Sequence, residues 1–207
     1  MITLINDDFS YSALLEQECR KVNFDFDYFK SEFNKENLQN NLDKIASKEA
    51  YICDQALATL DKSRKNILSL FENIEVKTFF TDFNVAIYDA YNKDFLHYFA
   101  KKAKANIINY KSSEYENAAR ILHLNKDLAF KYASNIILDA YDNGADFMLV
   151  ADSISFKIFD TFSKDLMRAS NRDFDDFYIL HLAEFLSLCK TKIPDSLKQH
   201  QLKVSLV

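Results

Sequence analysis

The chain has one glycine, one proline and no tryptophan among its 207 residues. Glycine supplies positive φ at little cost, and proline punctuates loops. With both nearly absent, turns fall to Asn, Asp and Ser. Few tight hairpins are expected, and helices joined by short caps are favoured. A single glycine also excludes a P-loop, and no GxGxxG, HExxH or GxSxG occurs. The three cysteines, Cys19, Cys53 and Cys189, lie far apart without a CxxC. That excludes a disulfide scaffold and a zinc knuckle and predicts reduced thiols in a cytoplasmic protein. No stretch approaches the roughly 18 apolar residues of a membrane span. The opening MITLINDDF carries Asp7 and Asp8 and no long apolar core, so no secretory leader is expected. Excess positive charge is missing too. The net charge is −5 and the pI about 5.4, which speaks against nucleic acid as a partner.

Apolar material is plentiful. The composition is 48% hydrophobic and 28% charged, enough for a core and not that of a disordered chain. The length suits one large domain or two small ones. With 19 phenylalanines, Phe is the expected core filler.

Residues 1–75 read as a helical region, packed on the rest because no flexible linker is visible. Ser10 or Asp8 can cap a helix bearing Leu14, Leu15, Cys19 and Val22. Leu38, Leu42 and Ile45 mark one further face, Ile52, Ala56 and Leu60 another, and Ile67, Leu68 and Phe71 a third. The stretch NFDFDYF (23–29) fits helix or strand, and the Phe24 to Phe33 segment fits core better than an exposed patch. Residues 76–207 alternate strand and helix. Strands are predicted at 75–80, 105–110, 147–151 and 177–182, with 200–207 as a closing edge strand. Helices are predicted from Asp82 to about Ala103, over 113–124, after Asn125, after Asp152-Ser153, and over LAEFLSLC. In the helix after Asn125, Leu128, Ala129, Tyr132, Ala133, Ile136, Ile137, Ala140 and Tyr141 form one stripe. It stops at Asn143-Gly144, where the lone glycine serves as a left-handed exit. The fold class is therefore α/β: a small, mostly parallel sheet with flanking helices, preceded by a helical N-terminal region.

Gly144-Ala145-Asp146, an apolar strand, a four-residue turn and Phe159-Asp160 follow one another in that order. Further on stands Ile179-Leu180-His181-Leu182-Ala183-Glu184-Phe185-Leu186. This arrangement resembles the cysteine-rich module of the HdrB family of heterodisulfide reductases. That family has a similar Gly-Ala-Asp, a strand, Cys-Pro-x-Cys, a helix near a Leu-Asp pair, and a strand with a flanked His and a Glu. The resemblance spans about 76–207, one module where the reductase has two. Asp152 and Ser155 stand where that family has the two cysteines, and Ser153 replaces the proline. Ser112-Ser113-Glu114 falls at its Cys-Cys-Gly, and Asp82 at an earlier Cys. The family's cysteines hold an iron-sulfur cluster. Serine and aspartate are not routine substitutes for thiolate, so the resemblance implies a scaffold without cluster, cofactor or reductase activity.

Asp82, Ser112, Ser113, Asp152, Ser153, Ser155 and His181 are the candidate crevice residues, each expected after the C-terminal end of a parallel strand. Helix N-termini there can receive an anion, and His181 with Asp152 can take a metal or do acid–base work. The plainer alternative is that Ser and Asp cap helices and His181 packs. His97, His123 and His200 lack ligand-like partners at i+4 and read as surface or core residues. Cys53 and Cys189 read as small buried hydrophobes. The locally basic KTKIPDSLKQHQLKV (190–204) suits a solvated tail or an acidic partner. Three functions fit: a non-catalytic binding or assembly protein with a redox protein or itself as partner, a metal- or ligand-binding enzyme using the crevice, or an accessory to a redox complex.

Overall fold

The computed structural model describes residues 2–6, 26–30, 50–52, 65–66, 74–88, 93–191 and 193–204. The backbone divides into two compact units, Met1–Ile74 and Glu75–Val207.

In the first unit, β1 (Ile2–Asn6), β2 (Phe26–Lys30), β3 (Ala50–Ile52) and β4 (Lys65–Asn66) form a parallel sheet of order β2-β1-β3-β4. Ile2 stands opposite Phe26, and Thr3 opposite Ala50. Strands thus enter a region that the sequence reading made largely helical, with only 23–29 left open between helix and strand. Ile-Thr-Leu-Ile is rich in β-branched residues and Phe-Asp-Tyr-Phe in aromatic ones, both good strand material. Ile52 belongs to β3 rather than to a helix face. The stripes at 14–22, 38–45, 56–60 and 67–71 lie outside the described residues, as do Cys19 and Cys53.

The second unit repeats the order. β5 (Asn84–Ile87), β6 (Asn106–Ile108), β7 (Phe147–Val150) and β8 (Tyr178–His181) run parallel as β6-β5-β7-β8. In each unit the first strand lies between the second and third, and the fourth pairs with the third. The α/β class with a parallel sheet and flanking helices is the class observed. Val85, Ala86 and Ile87 face Phe147, Met148 and Leu149, and all of these are buried. Parallel strands covered on both faces read as continuous apolar runs rather than alternating ones.

The first strand of this unit departs from the sequence reading. Residues 75–80 are not a strand. Lys77 and Thr78 donate their N–H groups to the Cys189 carbonyl at 2.8 and 2.9 Å, and β5 begins four residues later. Its helix, α1 (Lys93–Lys102), therefore starts well after Asp82. The predicted helix over 113–124 is two 3-10 turns instead, Lys111–Glu114 and Ala119–Ile121. No closing strand forms over residues 200–204, and 205–207 lie outside the described residues.

α2 (Lys126–Asp142) is capped by Asn125, whose side chain accepts the Leu128 N–H at 3.0 Å. At its far end Gly144 has φ +82°. Its N–H reaches the Tyr141 carbonyl at 2.9 Å, and that of Ala145 reaches Ala140 at 3.3 Å. Those two bonds are a Schellman exit. Asp146 then accepts the Asn84 N–H at 2.7 Å while donating its own N–H to the Asn84 carbonyl at 2.8 Å. Gly-Ala-Asp thus ends α2, buries Ala145 and docks the chain on the start of β5. After β7, α3 (Ser153–Phe156) runs into a π turn, Lys157–Thr161, and then α4 (Ser163–Ser170). α5 (Leu182–Cys189) follows β8 directly and is buried along its length. Phe80, Phe147 and Phe185 pack together in the core, with Phe80 and Phe185 ring centres 4.9 Å apart.

Candidate functional site

Among the described residues, several side chains at the C-terminal edge of the second sheet are buried and bonded within the protein. Tyr88, just past β5, is fully buried and donates its hydroxyl to the Tyr115 carbonyl at 2.7 Å. Tyr110, past β6, donates to the Ile87 carbonyl at 3.0 Å. Burial, with Asp139 nearby, raises the Tyr110 phenol far above its ordinary range, so it is a permanent donor. Asp152, past β7, is buried and accepts the Ser155 N–H at 2.7 Å, capping α3. Ser155 is equally buried, and its hydroxyl accepts from Asn117 Nδ2 at 2.9 Å. Ser112 is buried, with its N–H on Asp139 Oδ2 at 2.7 Å.

The predicted site residues therefore separate. Ser112, Asp152 and Ser155 lie beyond the strand ends, and His181 is the last residue of β8. Ser113 is half-buried in the first 3-10 turn. Ser153 opens α3, and its side chain is outside the described residues. Asp82 does not join them. It is exposed and precedes β5, which places it toward the opposite edge of the sheet. The error followed from assigning the first strand to 75–80.

His181 caps α5. Its Nδ1 accepts the Ala183 N–H at 3.2 Å, while its own N–H goes to Glu184 Oε2 at 2.9 Å. Glu184 leads to a cluster that sequence reasoning missed. Its Oε1 accepts from Ser196 Oγ at 2.8 Å and lies 2.7 Å from His200 Nε2. His200 Nδ1 lies 3.4 Å from Asp160 Oδ1, at ion-pair distance. Asp160 also accepts the Gln201 N–H at 3.1 Å and that of Leu202 at 3.4 Å. All three charged side chains are buried. Burial alone would lower the His200 pKa, but Asp160 and Glu184 outweigh it and hold the imidazolium up to about 9. Phe156 stacks edge-on against His200, with ring centres 5.0 Å apart. The π turn aims Asp160 inward to meet this cluster. Asp160 and Glu184 were visible as motif letters. His200 was not, because its partners lie 16 and 40 positions away.

Residues 118–201 match the family described as HdrB-like C-terminal domain. That stretch holds Asp152, Ser155, His181 and the Asp160–Glu184–His200 cluster, so the HdrB-like segment carries most of the strand-end residues. Comparison with curated protein sequences returns no match. Among solved structures, the crystal structure of a hypothetical protein from Helicobacter pylori is similar over 99% of this chain, with a TM-score of 0.79 and 15% identity. The chain spans about half of that protein, 53% of its length. At that identity the likeness concerns the fold. Among the described residues, no helix is long and apolar enough to cross a membrane.

An iron-sulfur cluster of the kind held by the cysteines of the resembled family does not fit the residues at this edge. Asp152 and Ser155 offer oxygen, not sulfur, and both are tied into the fold. Cys189 is at the end of α5, and burial pushes its thiol up to about 12, so it is not a thiolate.

Proposed function

We propose that this chain is a cluster-free, non-catalytic binding or assembly protein of the cytoplasm, an accessory to a redox complex built on an HdrB-like scaffold. The observation that carries this reading is the Asn117–Ser155 hydrogen bond, with Asp152 capping the same turn. Side chains at the positions of the family's cysteines serve the fold itself, which leaves the scaffold for contacts with a protein partner.

The test is metal content and the visible absorption spectrum of protein purified without oxygen, followed by identification of co-purifying proteins. The expected result is a colourless protein without stoichiometric iron that retains a component of a redox complex. Stoichiometric iron with thiolate-to-iron absorbance overturns the reading. Another bound metal that is lost in Asp152→Ala or His181→Ala replaces it with the crevice-binding reading.

A further inference from the structure

Leu128 and Tyr132 belong by spacing to the apolar stripe of α2, yet they are 44% and 56% exposed. Of the rest of that stripe, Ala129, Ala133, Ile136, Ile137 and Ala140 are buried as predicted, and Tyr141 is half-buried. Beside Tyr132 lies a largely apolar hollow of about 360 Å³, lined among the described residues by Tyr115, Glu116, Ala118, Arg120, Ile121 and Tyr132. Small-molecule sites run from roughly 300 to 1,000 Å³ and combine apolar walls with a few polar groups.

The hollow is built rather than incidental. Ala118 has φ +63°, a left-handed conformation that costs a side-chain-bearing residue about 1 kcal/mol. Two buried groups hold it there. Asn117 Oδ1 accepts the Ala119 N–H at 3.0 Å, while the same amide donates to Ser155. Tyr88 fixes the Tyr115 carbonyl from behind. Strain of this kind persists where the surroundings over-determine it, and it collects at ligand clamps. Arg120 makes a single 3.4 Å contact with Glu116, and both are well exposed. Such a pair contributes little, so the guanidinium retains donors whose fork geometry suits a carboxylate.

We propose that this hollow binds a small planar aromatic or heteroaromatic carboxylate, its ring against Tyr115 and Tyr132 and its carboxylate on Arg120. The strand-end residues Tyr88 and Ser155 support this hollow without lining it, and the proposal does not depend on the assembly reading.

The chain contains no tryptophan, so indole fluorescence excited beyond tyrosine absorption reports a ligand alone. Indoleacetate is titrated with the full chain and followed by fluorescence anisotropy, with tryptamine as the cationic counterpart. The expected result is one-site binding of indoleacetate, weakened about tenfold in Tyr132→Ala and several-fold in Arg120→Gln, with tryptamine bound more weakly. Both substitutions are at exposed side chains, and unchanged circular dichroism confirms folding. No rise in anisotropy at millimolar protein, binding unaltered in both variants, or tryptamine bound as well as indoleacetate overturns the proposal.

Discussion

His200 is held between two buried carboxylates, and its proton is therefore coupled to folding. Its pKa is raised from 6.5 to about 9 in the folded chain. A raised folded value stabilises fully below the unfolded pKa and is lost as pH rises through the folded one. At ~1.36 kcal/mol per pKa unit, protonation of His200 adds on the order of 3 kcal/mol below pH of about 6.5 relative to the neutral ring. Urea midpoints measured across that interval should fall as pH rises toward 9. In His200→Gln the slope should flatten, and stability near the lower end should drop by about 3–5 kcal/mol, because two buried carboxylates lose their counterion. Two backbone sites give predictions of opposite sign. Gly144→Ala meets no atom within 4 Å but inherits φ +82°, so thermal unfolding should show a loss of about 1 kcal/mol. Ala118→Gly relieves φ +63° and should gain about 0.5–1 kcal/mol. The role of Gly144 was legible from its place after an apolar stripe. That of Ala118 was not, since nothing in an alanine's identity signals a left-handed turn held by a distant serine.

Elements were legible where their surroundings were uniform. β6, β7 and β8 fall within two residues of their predicted positions because each is a short apolar run between polar caps. β5 was missed because Asn-Val-Ala-Ile is buried on both faces and flanked by Phe83 and Tyr88, a pattern that fits a helix stripe equally well. Residues 75–80 carry the β-branched and aromatic side chains of a strand, but the Lys77 and Thr78 N–H groups go to the end of α5 and that of Phe80 to the Ala103 carbonyl. The 3-10 turns at 111–121 replaced a helix because Asn117 turns its amide toward Ser155 and Ala119. That amide is the element's weak point. Asn117→Ala and Ser155→Ala should each cost about 1–3 kcal/mol in denaturant unfolding, and the double variant should cost less than their sum, as expected for partners.

At the scale of the molecule, two sheets share one strand order, and the same fold appears across nearly the whole chain in a protein about twice as long. In the second unit Asp152 accepts the Ser155 N–H and Asn117 donates to the Ser155 hydroxyl, so protein groups hold this part of the chain together. A chelator should therefore leave its melting temperature unchanged, unlike that of a protein folded around its metal. A shift downward on chelation, read by calorimetry, would contradict the reading of a cluster-free scaffold. The π turn at Lys157–Thr161 also bears on how this chain tolerates changes in length. Losing one codon there would let the helix wind regularly and rotate the flanking side chains by about 100° relative to one another. Asp160 would swing away from His200, leaving the imidazolium with a single counterion. Descendants of this sequence should accumulate substitutions in that segment far more readily than deletions.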